Sequence, residues 1–382
     1  MRSHSRPLVV AFCLAAVAAC DASRSASGVA GVVPDPSGSS GRGVGSGVGS
    51  SSSGGGANGA STSGGSGSSG GVRSEANAAY GGALFGPYTI TFGPIQVPPG
   101  TENTQCVVKR LGNLGPVHVG QIHDQLGVAS HHMILYRVSD MVEQPTPFDC
   151  RPFTDTLNPA NGNPLIISQK RDDLLTLPPG VAFTLDANQM VRLEMHYINA
   201  TTSTVTLDTS STLMPIDPAQ YRYDASFLFI GDLDISIPAM STATLGPAYF
   251  PVPSQYASSN FFAITGHEHQ WGTNVQVWTA TGPMDPGAPV YQVPDWSWSD
   301  PVTASFSPPL QVPTRGGFKF QCDWYNQSTS TVSFGESADD EMCFFWAYYY
   351  PSQGAQVCFH TDRAGGVNAC CPGSALCNLL GP

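Results

Sequence analysis

Short runs of alternating apolar and polar residues recur along the chain between roughly residues 78 and 351. Residues 88–92, 191–197 and 275–278 are examples, and Pro and Gly residues separate the runs. A period of two places apolar side chains on one face of a β-strand, and no long segment has the 3.6-residue period of an amphipathic helix. The pattern therefore predicts an all-β fold of antiparallel β-sandwiches or jelly rolls with long loops.

The β-patterned segment is long enough for two domains of ordinary size. A stretch near residues 215–221 breaks the alternation and is the expected seam between them. We therefore predict two tandem antiparallel β-sandwich domains, at 78–219 and 220–351, followed by a cysteine-rich tail at 352–382.

The first 20 residues have the features of an export signal. Arg2 and Arg6 precede a short apolar run of small residues, which is too brief to span a bilayer permanently. The run ends in VAAC at 17–20, which matches the bacterial lipobox, so Cys20 is predicted to carry lipid and to become the new amino terminus. The alternative is an ordinary secretory signal cut near Ala19. Both interpretations predict that the chain leaves the cytosol.

Residues 21–77 consist mainly of Gly and Ser with scattered Ala and Val. Such a segment has almost no side chains whose burial could offset the entropy lost on ordering. We predict a disordered tether that separates the lipid from the folded part.

The chain is acidic, with a formal net charge of −12 and only 16 Lys and Arg among 382 residues. It has no basic stripe with which to neutralise phosphates, which argues against a nucleic-acid partner. No apolar stretch after Cys20 approaches membrane-spanning length. The expected location is the bacterial cell envelope, facing the periplasm or at the cell surface, with membrane contact through the lipid anchor alone.

Ten cysteines are present, and eight remain after Cys13 and Cys20 of the signal are set aside. Eight cysteines in an exported chain suit four disulfides. Four of them crowd the tail and predict a small disulfide knot. The alternative is a zinc cluster, although the adjacent pair Cys370 and Cys371 fits the spacing of zinc knuckles poorly.

Five of the nine histidines fall in three short motifs, HHM at 131–133, MHY at 195–197 and HEH at 267–269. Residues i and i+2 of a strand face the same side, so His267 and His269 can direct two imidazoles at one metal ion, with the intervening Glu268 on the opposite face.

The other two motifs need more than a regular strand. His131 and His132 would diverge there, so both can reach one ion only at a strand end or a bulge, and a third ligand must come from elsewhere. His196 shares its strand face with Arg192 and Glu194, so it is not simply a core residue. Each motif alone is a weak signal.

A fourth segment joins these motifs into a family pattern. DDEMCFFWAYYYP at 339–351 resembles the DEMC segment of peptidylglycine α-hydroxylating monooxygenase and dopamine β-monooxygenase, in which the methionine is a copper ligand. HHMILYR, LEMHYIN and GHEHQWG resemble the family's three histidine segments, in the same order. The resemblance to the copper type II ascorbate-dependent monooxygenases spans roughly residues 80–351 and implies two linked β-sandwich domains.

The resemblance also implies two coppers per chain, ascorbate as reductant and O2 as co-substrate, for hydroxylation of a substrate C–H bond. It implies a ligand set for each copper: His131, His132 and His196 for the electron-transfer copper, and His267, His269 and Met342 for the catalytic copper that binds oxygen. Three imidazoles suit both oxidation states of copper, whereas a thioether favours Cu(I). Two cysteine pairs, Cys106 with Cys150 and Cys322 with Cys343, likewise resemble family disulfides.

The family resemblance does not identify the substrate of this chain. Peptide-processing members have an arginine two residues before the H-x-H motif, where this chain has Thr265, and polar residues where it has Phe344 and Trp346. We therefore expect a small substrate other than a C-terminal peptidyl-glycine, and the aromatic residues suggest a more apolar one unless they are core residues. An alternative function is a copper-binding or copper-buffering surface lipoprotein without turnover. A zinc hydrolase is disfavoured, because methionine is a poor zinc ligand.

Overall fold

The computed structural model describes residues 86–150, 162–335, 337–363, 365–371 and 374–380. The predicted export signal, the lipid-bearing Cys20 and the predicted tether at 21–77 lie outside these residues. The described part consists of β-strands joined by turns and loops, with two short 3₁₀ turns, which confirms the all-β prediction. None of its helices is long and apolar enough to cross a bilayer.

Two sheets make up the first part of the described chain. Their strands are β1 (Tyr88–Val97), β2 (Glu102–Arg110), β3 (Val117–Gln125), β4 (Ser130–Val138), β5 (Gln144–Asp149), β6 (Gly162–Ser168), β7 (Asp172–Thr176), β8 (Val181–Leu185), β9 (Met190–Ile198), β10 (Val205–Pro215) and β11 (Tyr223–Asp224).

The first sheet has the order β5-β2-β9-β4-β6, and the second has the order β1-β10-β3-β8-β11 with β7 also paired to β3. The pairs are antiparallel except β8 with β11. Apolar side chains of both sheets, such as Val107, Leu193 and Leu213, lie in one core cluster. This first sandwich is built from the alternating segments, because each sheet buries one face against the other.

The remaining strands form the second sandwich and the region after it. They are β12 (Ser226–Asp232), β13 (Ser236–Ile237), β14 (Ser241–Pro251), β15 (Asn260–His267), β16 (Gly272–Ala280), β17 (Ala288–Gln292), β18 (Thr303–Leu310), β19 (Gly317–Asn326), β20 (Val332–Ser333), β21 (Cys343–Tyr350), β22 (Gln356–Thr361) and β23 (Val367–Cys371), with 3₁₀ turns at Ser254–Tyr256 and Ala375–Leu380.

A six-stranded sheet, β18-β15-β21-β12-β22-β23, faces a four-stranded sheet, β14-β19-β16-β17. Strand β21 is buried on both faces: Phe345 and Tyr349 lie in the core of the second sandwich, whereas Phe344 and Trp346 lie in the cluster shared with the first. Burial on both faces explains why CFFWAYYY is continuously apolar rather than alternating. The predicted domain boundary between 219 and 220 stays a prediction.

The described residues contain four disulfides: Cys106–Cys150, Cys322–Cys343, Cys358–Cys370 and Cys371–Cys377. The first two are the pairs expected from the family resemblance. The last two show that the tail cysteines form disulfides, and a zinc cluster would need the same thiols in their reduced form. Strands β22 and β23 of this tail extend the six-stranded sheet.

Antiparallel pairing brings the candidate ligands to strand ends. The start of β4 lies beside the end of β9, and the end of β15 lies beside the start of β21. The histidine motifs occupy these ends, where backbone irregularity is tolerated and side chains can converge. The fold therefore holds the ligands on rigid strands, with loops from both sandwiches around them.

Candidate metal centre

His131, His132 and His196 form the first histidine set. His132 is the direct partner of His196 across β4 and β9, and the register shifts between Ser130 and His132. This irregularity is the bulge expected for two adjacent ligands. The three rings lie 4.9 to 5.1 Å apart, centroid to centroid, and one ring nitrogen of each histidine lies within 4.8 Å of the others. The structure thus brings together the three residues predicted for the electron-transfer copper.

Hydrogen bonds indicate which ring nitrogens of this set face a metal. The Nε2 atom of His196 lies 3.0 Å from the carboxylate of Glu102, so Nε2–H donates and Nδ1 keeps its lone pair. That Nδ1 atom is buried and has no hydrogen-bond partner among the described residues. The Nδ1 atoms of His131 and His132 lie 3.0 Å apart. Two nitrogens bound to one ion at about 2.0 Å have roughly this separation.

The second set comprises His267, His269 and Met342. His267 ends β15 and His269 follows two residues later, with ring centroids 5.1 Å apart and both side chains buried. His267 is paired with Phe344 across β21. Met342 precedes Phe344 by two residues and lies with it in the same core cluster, so its side chain is on the face of the sheet that carries His267. The register therefore places Met342 next to the strand end that carries His267.

The ring of His269 is oriented by the DEMC segment itself. Its Nδ1 lies 3.2 Å from the carbonyl oxygen of Asp340. A carbonyl oxygen only accepts, so Nδ1–H donates and Nε2 is the nitrogen with a lone pair for a metal. The two sets therefore differ, since His196 offers Nδ1 and His269 offers Nε2.

Burial keeps these imidazoles neutral. It lowers the pKa of His131, His132 and His267 well below the ordinary histidine value, with further lowering by neighbouring histidines. It lowers the pKa of His269 to about 4, and it also lowers the pKa of His196, against the opposing effect of Glu102. A neutral imidazole is the metal-binding form, so the set is ready for a cation without loss of protons near pH 7.

Glu341 is a functional candidate that the sequence reasoning missed, although it lies within the DEMC motif. Its carboxylate accepts hydrogen bonds from the backbone N–H groups of His269, at 2.9 Å, and Trp271, at 2.7 Å, and from the indole N–H of Trp324, at 3.0 Å. Burial raises its pKa to about 7, and these donors oppose the rise. Glu341 thus holds the turn after β15 against the segment that carries Met342.

Glu268, expected on the opposite face from the two imidazoles, is also fully buried. Burial, and next the charge of Glu341, raise its pKa well above the ordinary glutamate value. The Glu268 side chain packs against Gly272, the first residue of β16.

The two histidine sets lie beside one another. The rings of His131 and His269 are 6.4 Å apart, centroid to centroid. Two residues of the first sandwich reach the second: Glu102 also accepts from the backbone N–H of Ala338, at 3.3 Å, and Gln169 contacts His267. The strand ends of the two sandwiches meet here, so all five imidazoles belong to one buried cluster.

The remaining described histidines have other partners. His118 stacks on Tyr221 and hydrogen bonds to a threonine hydroxyl, and His123 pairs with Asp172. His360, on β22, contacts Asn368 at 3.0 Å. None of the three is part of the histidine cluster found among the described residues.

The residues present fit copper. The first set offers three neutral imidazoles, which suit both copper oxidation states, and the second offers two imidazoles and a thioether, a soft ligand that favours Cu(I). The two donor sets therefore differ in softness. The buried Nδ1 atom of His196 has no hydrogen-bond partner among the described residues, which is costly unless something binds it.

Comparison with known proteins supports the family. Residues 250–366 match the family model for the C-terminal domain of the copper type II ascorbate-dependent monooxygenases. The match covers His267, His269 and Met342, and it confirms the resemblance over this range. The first histidine set lies outside the matched residues.

No curated protein matches the chain. Among solved structures, the major capsid protein P2 of bacteriophage PM2 is 8% identical, with a TM-score of 0.31, over 70% of this chain and 99% of that one. A putative secreted protein from Parabacteroides distasonis is 10% identical, with a TM-score of 0.18, over 71% and 91%. The CUB1-EGF-CUB2 domains of rat MASP-1 are 10% identical, with a TM-score of 0.14, over 69% and 96%. These likenesses are too weak to carry an argument.

Proposed function

We propose that this chain is an ascorbate-dependent dicopper monooxygenase that hydroxylates a C–H bond of a small substrate with O2. The observation that carries the proposal is that three buried imidazoles lie within ligand distance of one another and that the buried rings of His267 and His269 adjoin them. Met342 is buried just before Phe344, the strand partner of His267. The family match over residues 250–366 supports it.

In this proposal the two ligand sets have different roles. His131, His132 and His196 hold the copper that stores an electron, and His267, His269 and Met342 hold the copper at which oxygen reacts. Copper bound at these sites supplies one-electron transfer and activation of O2, with ascorbate as the electron donor.

The chain's own residues supply orientation and a dry environment. Fixed ring orientations at His196 and His269 present a chosen nitrogen to each site. The ligand side chains are at least nine-tenths buried, which excludes water from reactive intermediates. Burial also holds the imidazoles neutral, so a proton does not compete with the metal.

The substrate stays unidentified. The Thr265 hydroxyl lies 2.8 Å from that of Thr303, so this position offers hydroxyl groups rather than a cation for a carboxylate. Phe344 and Trp346 stack on Phe229 inside the core, with centroids 4.6 and 6.0 Å from it. Because they are packed strand residues, they give no basis for an apolar substrate.

Export and anchoring through lipid on Cys20 belong to the same proposal. Four disulfides among the described residues suit an oxidising compartment outside the cytosol. Mass analysis of the mature amino terminus tests the anchor: a diacylglyceryl group on Cys20 is expected, and an unmodified cysteine or a cut at another residue would contradict it.

Metal analysis and oxygen uptake test the function. Two coppers per chain and ascorbate-driven oxygen uptake that depends on a substrate are expected. A protein that only buffers copper would be reduced by ascorbate without sustained uptake. A screen of candidate substrates for uptake is therefore the first experiment.

Two variants separate the roles. Met342→Ala should retain one well-bound copper and lose hydroxylation, whereas Met240→Ala, at an exposed methionine, should change neither. His196→Ala should spare copper at the second set but slow electron supply, with His360→Ala as its control. Undiminished hydroxylation in Met342→Ala would refute the assignment.

A further inference from the structure

Gln169 follows β6 in the first sandwich, and its amide lies between two residues of the second sandwich. Its Oε1 lies 3.1 Å from Nδ1 of His267. Its Nε2 lies 3.1 Å from the backbone carbonyl oxygen of Trp298. The side chain is almost fully buried, so both contacts are made away from water and each is costly to lose.

The orientation of this amide follows from its partners. The Trp298 carbonyl can only accept a hydrogen bond, so the NH2 group of Gln169 must face it. The amide oxygen then faces His267, and an oxygen without a proton can only accept. Nδ1 of His267 must therefore carry the proton, which leaves Nε2 as the nitrogen with a lone pair.

The same amide fixes a loop over the first histidine set. Residues 293–302 connect β17 to β18, and the ring of Trp298 in this connection lies 5.1 Å from that of His131, centroid to centroid. Within the second sandwich, Trp296 anchors the connection in the core, and the Val302 carbonyl accepts a hydrogen bond from Tyr291. The Gln169 hydrogen bond joins the connection to the first sandwich at the same residue, Trp298, whose ring lies against His131.

We infer that Gln169 is a positioning residue that holds His267 in its Nδ1–H tautomer and, through the same amide, docks Trp298 over His131. Gln169 thus orients a ligand of the second set directly and, through Trp298, keeps a ligand of the first set covered. This role deepens the proposed function and rests on it, because an oriented Nε2 matters only if His267 binds copper.

Two substitutions separate the two contacts. Gln169→Glu keeps an acceptor for His267 but places a carboxylate oxygen against the Trp298 carbonyl, so it should preserve the tautomer and release the loop. Gln169→Leu removes both contacts. Trp298→Ala should release the loop and leave the tautomer unchanged. Gln96→Leu is the control, because Gln96 is an exposed amide bonded to Thr206 on a neighbouring strand.

Both readouts use the full-length protein without added copper. Long-range ¹H–¹⁵N spectra report the tautomer, and the His267 signal is assigned by its loss in His267→Gln. The protected Nδ1–H signal should persist in Gln169→Glu and disappear in Gln169→Leu. Hydrogen exchange of a peptide spanning 293–302 should be about fivefold faster in Gln169→Glu, Gln169→Leu and Trp298→Ala, as expected for loss of one net hydrogen bond or its equivalent in packing.

An unchanged His267 signal in Gln169→Leu, with circular dichroism showing a folded protein, would overturn the tautomer role. Exchange at parental rates in both Gln169 variants would overturn the docking role. These measurements do not depend on turnover. The His267 signal and the exchange rates could behave as expected in a protein that binds no copper. That result would refute the proposed function but not the positioning role of Gln169.

Discussion

Asp124, on β3, is a buried carboxyl group whose ionisation should make the stability of the protein depend on pH. Its side chain is fully buried, and its Oδ2 accepts a hydrogen bond of 2.7 Å from Ser168, the residue before Gln169. Burial raises its pKa from 3.8 to about 7, with hydrogen bonds in partial opposition. The carboxyl group is thus protonated in the folded chain over a pH range in which the unfolded chain has released the proton.

The direction and size of the effect follow from this difference. Between about pH 4 and 7 the folded state binds more protons than the unfolded state, so the free energy of unfolding decreases as pH rises. The loss from this one group reaches roughly 4 kcal/mol above pH 7, and roughly 3 kcal/mol of it falls between pH 5 and 8. Asparagine resembles the protonated acid and does not titrate.

We therefore expect Asp124→Asn to gain stability relative to the parent by roughly 3 kcal/mol between pH 5 and pH 8. Urea unfolding of both proteins at each pH, with equal copper content, measures the difference in the free energy of unfolding between variant and parent. The buried histidines titrate in both proteins, so their contribution cancels in this difference. Asp208→Asn, at an exposed aspartate on β10, is the control and should show a change within about 0.5 kcal/mol. An Asp124→Asn difference that is equal at the two pH values would refute the reasoning.

Three further predictions concern the disulfides, the packing around the ligands and copper binding. Replacing Cys106 and Cys150 together by Ala opens a loop of 44 residues and should lower the free energy of unfolding by about 4 kcal/mol; a loss under about 1 kcal/mol in urea would contradict this. Gly231→Ala places a Cβ 2.2 Å from the ring of Phe344, the strand partner of His267, and should cost about 1 to 3 kcal/mol and disturb the spectrum of copper at the second set. Gly115→Ala, which meets nothing within 4 Å, is its control, and equal melting temperatures for the two variants would count against the packing argument. Burial lowers the pKa of all five ligand histidines. Copper affinity measured against a chelator should therefore change little from pH 8 to pH 6 and fall at more acid pH. A steep fall in affinity already at pH 6.5 would show that the rings titrate like exposed histidines.

Much of the site was accessible from local patterns. The alternation of apolar and polar residues predicted strands, and the adjacent pair His131 and His132 predicted a bulge, which the register shift at Ser130 shows. The i, i+2 spacing predicted that His267 and His269 would lie together. These features depend on neighbouring residues, so the strand geometry alone determines them.

Other features had no local signal. Gln169 lies 98 positions before His267, and Glu102 lies 94 positions before His196. Neither residue stands in a motif, and an isolated Gln or Glu in a sequence is far more often a surface residue. The DEMC segment directed attention to Met342, yet the neighbouring Glu341 accepts hydrogen bonds from two backbone N–H groups of the turn after β15.

By itself the sequence determined the strand character of the fold, the residue types able to bind copper and their grouping into motifs, because hydrophobic period and donor chemistry are properties of short segments. Only the tertiary structure decided that the two histidine sets adjoin, with the rings of His131 and His269 6.4 Å apart, and which ring nitrogen each ligand presents. Those outcomes depend on how two sandwiches pack and on hydrogen bonds between residues distant in the chain. The packing of β21 against both cores depends on many weak contacts with distant residues, so it cannot be predicted from any single segment of the sequence.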